Sequence, residues 1–133
     1  MPSPSRPESA PTGAGARLPG TPEPMRYWTG SSSNRLAGDF WGEPDGPLVV
    51  LQHGGGQTRH AWKHAGEQLG AAGYHAVTID ARGHGDSDWV PDGVYSQDAM
   101  VADLKCLIEQ LGGRRPVLVG ASMGGGTSLV AIG

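Results

Sequence analysis

The sequence predicts an α/β fold in which a mostly parallel sheet carries helices on both faces. Two continuous apolar runs, Leu48-Val49-Val50-Leu51 and Pro116-Val117-Leu118-Val119, read as strands buried on both sides. Stretches with apolar residues at helical spacing separate the strand-like runs, the pattern of strand–helix–strand crossovers. Loops rich in glycine and polar residues leave the carboxyl ends of those runs, at residues 52–57, 81–95 and 120–124. Open α/β sheets bind ligands at that edge.

The elements follow in the order β-β-β-α-β-α-β-α. Arg26-Tyr27-Trp28-Thr29 and Leu36-Ala37-Gly38-Asp39-Phe40 form a hairpin turned by Ser31-Ser32-Ser33-Asn34. Glu43-Pro44-Asp45-Gly46-Pro47 is a loop, and the Leu48 strand follows it. Residues 58–72 place Trp62, Ala65, Leu69 and Ala72 on one helical face, and Gly73 ends that helix. His75-Ala76-Val77-Thr78-Ile79-Asp80 is the next strand. After the long loop, Ser96 caps a helix with Met100, Leu104, Leu107, Ile108 and Leu111 on its apolar face. Gly112-Gly113 ends this helix, the Pro116 strand comes next, and a last helix starts at Gly124.

At 133 residues the chain fits one small domain, expected over residues 25–133. Residues 1–24 hold seven of the eleven prolines and only Met1 and Leu18 as sizeable apolar groups. Such a segment cannot offset its ordering entropy and is expected to be a disordered tail. The net charge is −3 and no basic stripe exists, so no nucleic-acid partner is expected. No apolar run approaches the roughly 20 residues of a membrane helix, and the tail lacks the apolar segment of a secretory signal. The expected location is cytoplasmic. Cys106 is the single cysteine and is read as a bystander thiol.

No metal or cofactor is expected. His60 and His64 have the spacing of a helical metal pair, but no carboxylate stands between them and no third ligand is in view. The dinucleotide pattern G-x-G-x-x-G fails at Arg59. The phosphate-loop pattern over Gly120 to Thr127 has Gly126 where the lysine belongs, so the phosphates lack their main charge partner.

Two loops carry chemistry. Gly120-Ala121-Ser122-Met123-Gly124 has the G-x-S-x-G form between an apolar strand and a helix. A serine on such a sharp turn takes a strained backbone, and its neighbours must be small. The N–H groups of the following helix point at any oxyanion that forms. His53-Gly54-Gly55-Gly56 leaves the Leu48 strand, and its glycines let backbone approach a ligand closely. The Gly55 N–H, with Gly56 as second choice, is the expected partner of the Met123 N–H in an oxyanion hole. His53 precedes those glycines and is expected to orient the loop rather than act as base.

With Asp80-Ala81-Arg82-Gly83-His84-Gly85-Asp86-Ser87 between them, these motifs resemble the α/β-hydrolase superfamily in order and spacing, over residues 25–133. The resemblance implies the N-terminal half of that fold, with sheet order 1-2-4-3-5 before any later strands. It implies acyl transfer or hydrolysis of a small ester-like substrate, with Ser122 as nucleophile and Gly55 and Met123 as oxyanion donors. Dehalogenase and epoxide-hydrolase relatives use an aspartate at the elbow, so Ser122 favours ester-like bonds. It also makes Asp80 and Arg82 structural, holding their loop, and leaves His84 outside the catalytic set.

In that family the acid and the histidine follow the nucleophile. No Asp, Glu or His occurs after Ser122. The expectation is therefore a C-terminally truncated serine hydrolase, inactive alone because its hydroxyl lacks a base. The alternatives are a non-catalytic interaction module and a half-enzyme completed in trans. The fifth strand would stand at the sheet edge and invite self-association.

Overall fold

A computed structural model describes residues 22–91 and 93–132. The expected tail therefore lies outside the described residues, apart from Pro22, Glu23 and Pro24. The strands are β1 (Arg26–Thr29), β2 (Arg35–Trp41), β3 (Leu48–Gln52), β4 (His75–Ile79) and β5 (Val117–Gly120). The helices are α1 (Lys63–Ala71), α2 (Gln97–Gln110) and α3 (Met123–Ile132), with a 3-10 turn at Arg59–Trp62 leading into α1.

The five strands form one sheet in the order β1-β2-β4-β3-β5. β3 pairs in parallel with β4 and β5, while β2 pairs antiparallel with β1 and β4. The parallel part arises because α1 and α2 carry the chain back across the sheet between strands. The element order and the strand order both match the expectation.

Helices cover both faces, and strand periodicity sorts the core between them. Leu48, Val50, Val77 and Ile79 pack with Trp28, Leu36, Leu104 and Leu107 on the α2 side. Val49, Leu51 and Ala76 pack with Trp41, Trp62 and Leu69 on the α1 side. β3 and β4 are buried along their whole length, β3 as its continuous apolar run requires.

Several expectations need correction. The helix expected over residues 58–72 divides into the 3-10 turn and α1, and Ala72 is exposed. Its closest approach to the sheet uses Gly66 and Gly70 instead, because Trp41 lies on them. A Cβ at Gly66 would meet the Trp41 ring at 2.3 Å. The expected face of α2 packs on the core through Leu104, Leu107, Ile108 and Leu111, and Val101 and Asp103 are buried in addition. The Pro116 run does not form a fully buried strand. Among the described residues β5 pairs only with β3, and Val117 is 58% exposed.

The punctuation of the chain is as expected. The Ser96 hydroxyl accepts the Ala99 N–H at the start of α2. Gly73 (φ 100°) and Gly112 (φ 101°) take the left-handed conformation just past α1 and α2, where a side chain would be strained.

Candidate active site

Ser122 occupies the turn between β5 and α3, is exposed, and has φ 55°. Among the described non-glycine residues only Ser33 shares this left-handed backbone. A serine held there costs about 1–3 kcal/mol, which the surroundings must impose. They do so by contact. A Cβ at Gly120 would stand 2.4 Å from the Gly124 carbonyl, and one at Gly124 would stand 2.4 Å from the Gln52 carbonyl oxygen. The elbow is thus pressed against the end of β3 with no room for side chains. The Ala121 N–H donates to the Gln52 carbonyl (3.2 Å), and the Gln52 carboxamide donates to Ser128 Oγ on α3 (2.7 Å).

Met123 is the first residue of α3, so its N–H belongs to the turn that the helix leaves without internal acceptors. The glycine loop lies beside this helix start. A Cβ on Gly54 would stand 3.4 Å from Ser122 Cβ and 3.2 Å from the Ala121 oxygen. The same test at Gly55 and Gly56 meets nothing within 4 Å. Gly54 is therefore the packed glycine, and the two after it face open space.

His53 is buried and both ring nitrogens are engaged. Nε2 accepts the Ala81 N–H (3.0 Å), which fixes the tautomer and leaves Nδ1–H to donate to the Gly54 oxygen (2.8 Å). Burial holds its pKa below the ordinary value, and the nearby His84 adds to this. A neutral imidazole with both nitrogens used is no general base for Ser122. It ties the glycine loop to the end of β4, the orienting role expected from its position.

The loop after β4 is a different kind of structure. Asp80 accepts the backbone N–H of Arg59 (2.7 Å) and of Asp86 (2.9 Å). The Arg59 guanidinium is fully buried and meets Asp39 (2.9 Å), Asp80 (2.6 Å) and Asp86 (2.9 Å). Burial alone would lower the Arg59 pKa; the three carboxylates outweigh it and hold it above its ordinary value. Arg82 donates to both Asp103 oxygens (2.7 and 2.8 Å) and to the Val94 carbonyl (2.8 Å). Ser87 Oγ accepts the Ala37 N–H (2.8 Å) and donates to the Asp80 carbonyl. Asp80 and Arg82 thus hold this loop, as expected. Nothing in the sequence pattern marks their partners Arg59 and Asp103.

The remaining histidines lie on the loop after β4, at the start of β4, and on the helical segment after the glycine loop. The Nδ1 of His84 lies 3.0 Å from the Arg82 carbonyl. His75 opens β4, at the other end of the strand from the elbow, beside Arg114. His60 and His64 lie on the 3-10 turn and α1. Among the described residues no group of three or more His, Cys, Asp or Glu could hold a metal ion. No helix there is long and apolar enough to cross a membrane. A small cavity borders Met123 and Gly124 at the start of α3.

The sheet order and the strand–elbow–helix unit define an α/β protein with a mixed sheet and a sharp turn into α3. A family model described as alpha/beta hydrolase fold matches residues 47–132, and the chain belongs to that family. It is 38% identical over 85 residues to epoxide hydrolase A of Mycobacterium tuberculosis, covering 62% of this chain and 26% of that protein. It is 36% identical over 89 residues to an esterase of the same organism, covering 67% of this chain and 28% of that protein. The structure superposes on a crystal structure of an epoxide hydrolase from Vigna radiata with TM-score 0.74 and 28% identity, over 80% of this chain and 34% of that one. The matched segment thus spans about a quarter to a third of its relatives' own lengths.

Proposed function

We propose that this chain carries the nucleophile half of a serine hydrolase site acting on small ester-like acyl compounds. Ser122 Oγ attacks the acyl carbon, and the N–H groups of Met123 and Gly55 receive the oxyanion. The observation that carries this reading is the strained, exposed Ser122 at φ 55° on the start of α3. Serine at the elbow favours the esterase side of the relatives over the epoxide hydrolases, whose nucleophile the family resemblance gives as aspartate. His53 has both ring nitrogens engaged and His75 stands at the far end of β4, so neither serves as the base, which this reading places with its acid outside these 133 residues. The chain alone is accordingly inactive.

The test replaces the hydroxyl by a group that needs no base. The Ser122→Cys chain, mixed with p-nitrophenyl acetate, is expected to release about one equivalent of p-nitrophenol in a burst. Peptide mass mapping then places the acetyl group on residue 122. Equal acetylation of Cys106, or no burst, contradicts the reading. The unmodified chain is expected to resist a fluorophosphonate probe. Labelling that disappears in Ser122→Ala would overturn the claim of inactivity.

The open side of β5 favours a second reading, in which a partner strand or a second copy pairs with this edge. Val117, 58% exposed, is its apolar anchor. Sedimentation that shows a monomer at all concentrations contradicts the pairing of two copies.

A further inference from the structure

The Gly54–Gly55 peptide is fixed from several sides. Its oxygen accepts His53 Nδ1–H at 2.8 Å and the Gln57 N–H at 3.1 Å. The preceding peptide is fixed as well, because the Gly54 N–H donates to Gln57 Oε1 at 2.9 Å. A trans peptide points its N–H opposite to its carbonyl. Holding the Gly54 oxygen therefore sets the direction of the Gly55 N–H. Residues 54–57 close a β-turn with Gly56 at φ 77° in its third position, and the central glycines bear no side chain against any neighbour.

Gln57 also sits close to the reacting centre. The point where a Gly54 Cβ would stand is 3.0 Å from Gln57 Oε1 and 3.4 Å from Ser122 Cβ. Gln57 is exposed and packs into no core cluster. Its side chain is spent on one backbone donor beside the elbow.

We infer that Gln57 is a positioning residue for acyl transfer: its carboxamide holds the Gly54 N–H at the head of the glycine turn, and so steadies the Gly55 N–H toward the oxyanion of the substrate bound at Ser122. The inference rests on the reading of Ser122 as the nucleophile. Gln57 touches no reacting atom; it acts through Gly54 and Gly55.

The experiment uses the full 133-residue chain with Ser122→Cys, whose thiolate adds to the carbonyl carbon of p-nitrophenyl acetate, expels p-nitrophenolate and becomes a thioester. Gln57→Met keeps the length of the side chain and removes the acceptor. It is expected to lower the limiting acylation rate about 10-fold while the half-saturating ester concentration stays unchanged. Amide exchange of Gly54 rises in the same variant, and that of Val50 and Leu51 in β3 does not. Gly56→Ala, strained at its positive φ but facing open space, lowers the rate in the same way. An unchanged rate with faster Gly54 exchange overturns the inference and leaves the nucleophile in place. Unchanged Gly54 exchange overturns it too. Absence of acylation with Gln57 intact, in a chain whose Gly54 amide is protected, is instead the failure of the functional reading.

Discussion

Two loops leave the carboxyl ends of β4 and β5, the strands on either side of β3, and they are built in opposite ways. The loop after β4 is closed on itself. Asp80, Arg82, Asp86 and Ser87 are all buried, and the fully buried Arg59 joins three carboxylates there. The elbow after β5 is open. Ser122 is exposed on a strained backbone, and the facing Gly55 and Gly56 meet nothing. Both loops are polar and glycine-rich in sequence. Charge in the first is spent on holding the fold, and strain in the second holds a hydroxyl away from it. Polar character alone does not mark a site; the state of its partners does.

The largest effect is expected at Arg59. Arg59→Met leaves Asp39, Asp80 and Asp86 together in the interior without their cation. Removing one partner of a buried ion pair costs about 3–5 kcal/mol, a large part of a small domain's stability. Urea denaturation followed by circular dichroism is expected to show that loss. A smaller effect is expected at Gly124→Ala, where the new methyl meets the Gln52 carbonyl at 2.4 Å. Overpacking of this kind costs about 1–3 kcal/mol, and reactivity of a cysteine at residue 122 should fall with it.

At the elbow itself the sign reverses. Ser122→Gly releases the left-handed strain and is expected to stabilise the chain by about 1 kcal/mol, the strain relieved less the added freedom of the unfolded glycine. Thermal melts of the two chains measure it. A locked loop loses stability when its key residue changes; a reactive turn gains.

The smallest effect is on pH. Burial lowers the pKa of His53 and of His75, while the unfolded chain titrates near the ordinary value of 6.5. The folded state then binds fewer protons than the unfolded state just below that pH. The stability these neutral rings contribute is complete above 6.5 and is lost as pH falls from there through their folded pKa values. His53→Asn should flatten the decline that urea midpoints show as pH falls below the ordinary histidine value of about 6.5.

Much of this frame is legible in the sequence because its signals are local. A continuous apolar run marks β3, and Ser96, Gly73 and Gly112 mark helix ends through their own backbone chemistry. The elbow is legible because Gly120 and Gly124 flank Ser122 within a single turn of chain. What stays hidden depends on long-range pairing. Arg59 and Asp39 are 20 residues apart, and Arg82 and Asp103 are 21 apart. No spacing rule says which buried charge meets which. Gly66 and Gly70 read as weak points of a helix until Trp41 fills the space over them. Gln57 carries no signal at all, since its role is one bond to a glycine three residues earlier.

The central claim is that the elbow favours negative charge at residue 122. It is tested most directly by the pH dependence of iodoacetamide alkylation in the Ser122→Cys chain, where Cys106 serves as the internal reference. Burial, with Asp103 and Glu109 nearby, holds the Cys106 thiol above its ordinary pKa. The start of α3 and the open glycine loop are expected to hold the introduced thiol at position 122 below the free-thiol value of about 8.5. Two separate alkylation midpoints are predicted, with residue 122 well below Cys106. A shared midpoint, or the reverse order, contradicts the claim.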